Sequence, residues 1–277
     1  MYTITSMPPP SHLASVAPLE LDLGELASRG RTSKAAPGTV HSVLQTNQMR
    51  VAYQPLVDLR RGRIFAYEAL ARCPVAGLES PPVLFDRAIA EGCCGELGRT
   101  VRRIAVDGCR SAPLFLNVHP HEFDEGWLVR PDDPIFAHDH DIYLEITESV
   151  PLSHFSLCRS VLREVNGKGI LLAVDDLGAG YSNLRYIADL APAIVKLDRH
   201  LVSGLIHESR LHKLVRAIVR LCADLGAEVV AEGIETESEL NAVRDANVRY
   251  GQGYLFARPA PTPPPIDQSW ETPTMRP

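Results

Sequence analysis

Between residues 51 and 253 the chain alternates short β-rich runs with helical stretches, a rhythm that restricts it to an α/β fold with a largely parallel sheet. The runs are VAYQPLV (51–57), RIFAYEALA (63–71), PLFLNV (113–118), DIYLEIT (141–147), GILLAVD (169–175), AIVKLD (193–198), AEVVAEG (227–233) and VRYGQG (248–253). Strands joined by right-handed strand–helix–strand crossovers close most naturally into a barrel. The clearest crossover helix precedes the seventh run. There Leu211, Leu214, Ile218, Leu221 and Leu225 predict one apolar stripe packed on the barrel, with Gly226 as the stop. The first two runs break the rhythm. Only RRG (60–62) and its neighbours separate them, too little for a crossover helix, so they are expected to be antiparallel neighbours.

Outside this region periodicity fades. Residues 1–44 mix Pro, Ser, Ala and Gly and read as a flexible leader with a short helix over 19–26. After residue 260 repeated prolines forbid regular pairing, so 261–277 read as a flexible tail around a single domain at 45–260. A hydrophobic share of 45% and a charged share of 22% allow such a domain a sizeable core. The six cysteines follow no repeated spacing, so reduced thiols and a cytoplasmic location are expected. The first residues have neither the basic start nor the apolar run of a secretory signal, and no membrane segment is expected. A net charge of -6 argues against long nucleic acid as a partner. A small anionic ligand remains admissible if cations intervene.

Nearly every run ends in a polar residue that a buried strand does not need: Glu68, Asn117, Glu145, Asp175 with Asp176, Lys196, Glu232 and Gln252. Taken singly each has a plain reading. Glu145 could cap a helix, Asp175 and Asp176 could open the turn DDLGAGYSN, and Lys196 could be a snorkelling surface lysine. In a barrel, however, the C-terminal strand ends converge on one mouth. Several carboxylates crowded there cannot all stay ionised without cations, and an oxygen-rich set of this kind favours Mg²⁺ or Mn²⁺. Asp175 could bridge two such ions about 4 Å apart. A zinc reading of His119 with His121, or of His138, Asp139 and His140, finds no further partner at zinc-ligand spacing. Trp127 reads as a packing aromatic.

The segments YQPLVDL (53–59), YEALAR (67–72), LNVHP (116–120), LEITES (144–149), AVDDLGAGYSNLRYI (173–187), VKLD (195–198), VVAEGIET (229–236) and GQGYLFARP (251–259) resemble the EAL domain family in order and spacing. The resemblance implies a modified TIM (β/α)8 barrel with one antiparallel strand near the N-terminus of the domain. It also implies hydrolysis of cyclic di-GMP to linear 5′-pGpG with two Mg²⁺ or Mn²⁺ ions, and a homodimer. By it, Glu68, Asn117, Glu145 and Asp175 correspond to metal ligands, with Asp175 and Asp176 near the second ion. Lys196 is similar to the lysine that holds the attacking water, Glu232 to the glutamate proposed as general base, and Gln252 to the glutamine that helps position water and metals. Arg72 corresponds to a phosphate contact, Glu148 to the anchor of the loop after Asp176, and Glu235 to a partner of the ligands.

Two segments depart from the family pattern. Leu177, Ala179 and Asn183 stand where the family has DDFGTGYSSL, in a loop that couples metal binding to dimer contacts. Cys73, Pro74 and Val75 replace the RWxHP continuation, so one wall of the substrate groove is expected to differ. The alternative from another class is a catalytically weak EAL domain acting as a cyclic di-GMP receptor or protein-interaction module. The complete set at Glu68, Lys196 and Glu232 weighs against it.

Overall fold

The computed structural model describes residues 38–123, 126–147, 155–179 and 184–266. The short helix expected over 19–26, the loop position Asn183 and the family-matched Glu148 lie outside the described residues. The strands are β1 Arg50–Asp58, β2 Arg63–Arg72, β3 Leu114–Asn117, β4 Ile142–Thr147, β5 Leu171–Leu177, β6 Ile194–Leu197, β7 Glu228–Ala231 and β8 Tyr250–Gly251. They close into a barrel in sequence order. β1 runs antiparallel to both its neighbours, β2 and β8, and every other pairing is parallel. This is the modified TIM barrel expected from the sequence. The tight β1–β2 connection is held by Asp58, which accepts the N–H groups of Arg60 (3.0 Å) and Arg61 (3.1 Å) and pairs with Arg249 (3.3 Å) at the start of β8.

The helices are α1 Val40–Gln45, α2 Pro81–Ala90, α3 Cys94–Gly108, α4 Phe155–Gly167, α5 Arg185–Leu190, α6 Arg199–Val202, α7 Arg210–Asp224 and α8 Glu237–Asp245. One apolar cluster fills the space between the first half of the barrel and α1 to α4, and a second lies under α7 and α8. The stripe expected on α7 needs correction. Val215 and Cys222 are the apolar residues buried there, with Leu211, Ile218 and Val219 at the edges, whereas Leu214, Leu221 and Leu225 are exposed. The apolar arc of this helix is wide, and spacings of three and four fit either edge of it. Burial of His212 on the far edge turns the leucine edge outward. Gly226 does end the helix, with φ +84°.

The proline-rich stretch remains attached past residue 260. Ala260 exchanges backbone hydrogen bonds with Tyr53 (2.7 and 3.0 Å), and Pro264 O accepts from Tyr67 Oη at 2.9 Å. Folded structure likewise starts before residue 45, at α1.

Candidate active site

The barrel interior is layered. Leu56, Ala66, Phe115, Tyr143, Ala173, Ile194, Val230 and Tyr250 form its apolar layer. Every second residue of a strand faces the same way, so the next layer toward the mouth follows directly. It consists of Gln54, Glu68, Asn117, Glu145, Asp175, Lys196, Glu232 and Gln252, each two residues from a member of the apolar layer. Gln54 precedes Leu56 because β1 runs the other way; it lies opposite Glu68 in the β1–β2 register.

Lys196 is the centre of this layer. Its side chain is 1% exposed, and Nζ lies 2.6 Å from Glu145 Oε1, 2.6 Å from Glu232 Oε1, 3.1 Å from Asp175 Oδ1 and 3.5 Å from Glu68 Oε2. Glu68 also accepts from Asn117 Nδ2 (3.0 Å) and Gln252 Nε2 (2.6 Å), and Gln252 Nε2 reaches Gln54 Oε1 at 3.2 Å. Gln54 in turn donates to Ala257 O at 3.2 Å.

A bulge adds a further carboxylate. The β5–β6 register shifts between Val174 and Leu177, and Asp176 takes a left-handed backbone with φ +59°. Consecutive residues of a regular strand point to opposite faces, and a bulge re-aims one of them. Asp175 and Asp176 therefore line the same cavity. Carboxylate oxygens of Glu68, Glu145 and Asp175 lie within 4.8 Å of one another, as do those of Asp175, Asp176 and Glu232. Asp175 belongs to both sets.

The donor chemistry fits divalent cations. Glu145 is buried, and among the described residues its two oxygens have no hydrogen-bond partner beyond the ion pair with Lys196; Gln252 Oε1 is likewise buried without a donor among them. Such oxygens are costly unless a cation meets them. A set made of carboxylates and amides suits Mg²⁺ or Mn²⁺ rather than a thiophilic metal.

The electrostatics follow from five carboxylates around one ammonium. Lys196 is held well above its ordinary value: burial works against its charge, but Asp175, Glu145, Glu232 and Glu68 outweigh it. Burial pushes Glu145 well up, reinforced by Glu68. Burial also raises Asp175, with Lys196 opposing and Glu68 reinforcing. Asp176 is raised to about 6 by burial and the neighbouring Asp175. Glu232 is raised to about 8 by burial, against Lys196 and with repulsion from Asp175 and Glu68. In Glu68 burial is overcome by the Lys196 charge and the amide donors of Gln252 and Asn117, and its carboxyl is lowered.

These directions set a pH dependence. A carboxyl whose folded value is raised binds more protons folded than unfolded between the two values, so stability falls as pH rises through that window. For Glu232 the window runs from the ordinary glutamate range to about 8. The metal-free protein is therefore expected to melt at a lower temperature at about pH 8 than at about pH 6, and millimolar Mg²⁺ should raise Tm more at the higher pH, where it displaces fewer protons. Scanning fluorimetry at both pH values, with EDTA or with Mg²⁺, measures this. Equal Mg²⁺ increments at the two pH values would contradict the charge crowding.

Two cavities meet at Glu68. The smaller, about 290 Å³, holds Lys196, Asp175, Asp176, Glu232, Gln252 and Glu235. The larger, about 600 Å³, is bordered by Arg72, Phe85, Asn117 and His119. One of its walls is a near-parallel stack of Phe85 on His119 (5.7 Å) and His119 on His121 (5.5 Å). That wall is anchored from behind by Glu122, which accepts the His119 N–H (3.0 Å) and pairs with buried Arg102 on α3 (2.5 Å). Arg102 also forks onto Asp133 through Nε (3.2 Å) and Nη2 (2.9 Å). Gly98 on α3 leaves room for the Glu122 carboxylate, where a Cβ would lie 1.9 Å from Oε2.

The structure thus brings Glu68, Asn117, Glu145, Asp175, Asp176, Lys196, Glu232 and Gln252 to one place. Arg72 stands apart in the larger cavity, with Nη1 donating to Ala71 O at 2.8 Å. Glu235 lines the smaller cavity, and its backbone N–H donates to Glu239 Oε2 at 3.0 Å. Sequence reasoning missed Gln54 and Glu239. Glu239 closes a capping box with Thr236 and also accepts the Gly204 N–H at 2.8 Å, which fixes the loop carrying Glu235. The T-x-x-E spacing was the available signal.

A family model described as the EAL domain matches residues 39–259. The chain is 34% identical over 222 residues to "Cyclic di-GMP phosphodiesterase PA2567" of Pseudomonas aeruginosa, covering 76% of this chain and 38% of that one. The chain spans about a third of the length of the curated relatives it matches. Among solved structures it is similar to Klebsiella pneumoniae BlrP1 in a manganese/cy-diGMP complex, with TM-score 0.69, 30% identity and coverage of 83% of this chain and 59% of that one. An EAL domain protein from Listeria monocytogenes gives TM-score 0.69 at 27% identity, covering 83% and 95%. Among the described residues no helix is long and apolar enough to cross a membrane.

Proposed function

The chain belongs to the EAL domain family, and from that premise we propose that it hydrolyses cyclic di-GMP to linear 5′-pGpG with two Mg²⁺ or Mn²⁺ ions. The observation that carries this reading is the buried Lys196 ammonium within 3.5 Å of four carboxylates at the barrel mouth. A receptor has no need to bury so much unbalanced charge, whereas hydrolysis of a phosphodiester needs cations, an oriented water and a base.

In this reading Glu68, Asn117, Glu145 and Asp175 would hold one ion, and Asp175 with Asp176 would hold the other. Bound ions would neutralise the phosphodiester charge and lower the pKa of water toward neutrality. Lys196, locked in its ammonium form, donates a hydrogen bond that orients the water. Glu232 would accept the water proton, bound cations offsetting the burial and the repulsion from Asp175 and Glu68 that raise its carboxyl in the cation-free site. The water oxygen bonds to phosphorus as the P–O3′ bond breaks, and the departing 3′ oxygen takes up a proton. Gln252 and Gln54 keep Glu68 and the water position in register, with Glu235 beside them. Arg72 offers its planar fork to a phosphate in the larger cavity, whose ring wall suits a flat base. A cytoplasmic location belongs to this reading, supported by five buried cysteines that form no disulfide among the described residues. So does a homodimer, which sedimentation can test.

The test incubates the full chain with cyclic di-GMP and Mg²⁺, Mn²⁺ or Ca²⁺, with linear product followed by chromatography. Product is expected with the first two ions and at least about tenfold less with Ca²⁺, which prefers longer bonds and more ligands. Binding without product in both Mg²⁺ and Mn²⁺ would replace this reading with a receptor.

A further inference from the structure

A second cluster of metal-binding residue types lies at the start of α7, apart from the barrel mouth and unused by the proposed chemistry. His207 and Glu208 occupy the turn before the helix, and His212 lies in its first turn, where its N–H donates to the Ser209 cap at 3.0 Å. His212 is 0% exposed. Its Nε2 lies 3.2 Å from Ala242 O on α8, which requires the proton on that nitrogen and leaves Nδ1 as a bare acceptor. Among the described residues Nδ1 has no hydrogen-bond partner. His207 Nδ1 lies 2.9 Å from Asp245 Oδ2, a carboxylate that favours the proton on Nδ1 and, in the neutral ring, Nε2 as the acceptor nitrogen. The two rings are 5.1 Å apart. One ring nitrogen from each histidine and one Glu208 carboxylate oxygen lie within 4.8 Å of one another.

We propose that His207, Glu208 and His212 form a separate transition-metal site that takes Zn²⁺ and clamps the start of α7 to α8. Three features support it. A metal-ligating histidine characteristically gives its other N–H to a carbonyl or carboxylate; His212 does so to Ala242 O, and His207 holds its Nδ1 2.9 Å from the Asp245 carboxylate. Two imidazoles and one carboxylate suit Zn²⁺ and its first-row neighbours, in contrast to the all-oxygen set at the mouth. Glu208 is held in a left-handed backbone conformation, φ +59°, that a non-glycine residue adopts only when its surroundings impose it. Lys213 and Arg216 approach the Glu208 carboxylate at 3.4 and 3.5 Å. All these side chains are about half exposed, and such pairs are weak and readily exchanged for a metal bond.

The experiment uses the full chain stripped of metal and titrated with Zn²⁺ in millimolar Mg²⁺, which occupies the carboxylate-rich mouth. Bound zinc is counted after equilibrium dialysis, and Tm is recorded with and without zinc. One tight equivalent is expected, with a rise in Tm of several degrees. Both should vanish in His207→Ala, a surface substitution compatible with folding, while hydrolysis in Mg²⁺ stays at the wild-type rate. His212→Gln is the second variant, and imidazole ¹⁵N spectra of the wild type should show both His207 and His212 shifting with zinc. If His207→Ala and Glu208→Ala retain the zinc equivalent and the Tm rise, the site does not exist. If the bound zinc disappears only in Asp175→Asn, it sits at the barrel mouth and the inference is likewise overturned.

Discussion

Asp175→Asn is expected to lower cyclic di-GMP turnover by about 10³-fold or more at saturating Mg²⁺, while the metal-free protein melts no lower than the parent. The activity loss follows from position. Asp175 is shared by both carboxylate sets and touches Lys196 at 3.1 Å, so in the proposed reaction one substitution would weaken both cation positions and loosen the ammonium assigned to orient the water. The stability expectation has the opposite direction because burial and Glu68 raise the Asp175 carboxyl in the cation-free site. Removing that charge relieves repulsion. Measuring kcat alongside Tm therefore separates a lost site from a lost fold. A variant retaining more than about a tenth of parental turnover would take Asp175 out of the cation site.

Arg102→Met should destabilise the fold by about 3–5 kcal/mol, equivalent to a fall in Tm of roughly 10 °C. The guanidinium is 1% exposed and is the ion-pair partner of Glu122 and Asp133, whose side chains are fully buried. Burial pushes the Glu122 carboxyl up even with Arg102 in contact, so without the arginine it must protonate or unfold. Lysine at this position should rescue little, since a point charge cannot reproduce the fork onto Asp133. Urea unfolding of the variants measures the loss. A change below about 1 kcal/mol would mean that the triad is hydrated rather than buried. A surviving Arg102→Met protein should also bind substrate more weakly, because Glu122 holds the His119 wall of the larger cavity.

Much of the mouth was legible in the sequence, for a simple reason. In parallel strands the residues that reach the mouth lie at or near the C-terminal strand end, and Asn117, Glu145, Lys196, Glu232 and Gln252 break an apolar run there, whereas Glu68 does so inside β2, four residues before its end. Gln54 obeys the same period of two but lies in the middle of the reversed β1, where no strand end marks it. That Asp175 and Asp176 line one cavity depends on a bulge, a register irregularity that neither propensity nor periodicity reports. The buried face of α7 was misjudged because leucines outweighed Val215, Cys222 and His212 in a wide apolar arc. The Arg102 triad draws on residues 20 and 31 positions away, in and beside short 3-10 turns, beyond any local pattern.

The reversed first strand has a consequence for how this domain can be inherited. Tyr53, within the first strand, exchanges backbone hydrogen bonds with Ala260, past the last, so the strand that opens the barrel and the segment that leaves it share one seam. A barrel whose opening strand and departing segment lie side by side can be carried within a longer polypeptide through a single doorway. Its eight strands need not be interrupted, and the flanking segments can be exchanged while the barrel mouth keeps its geometry.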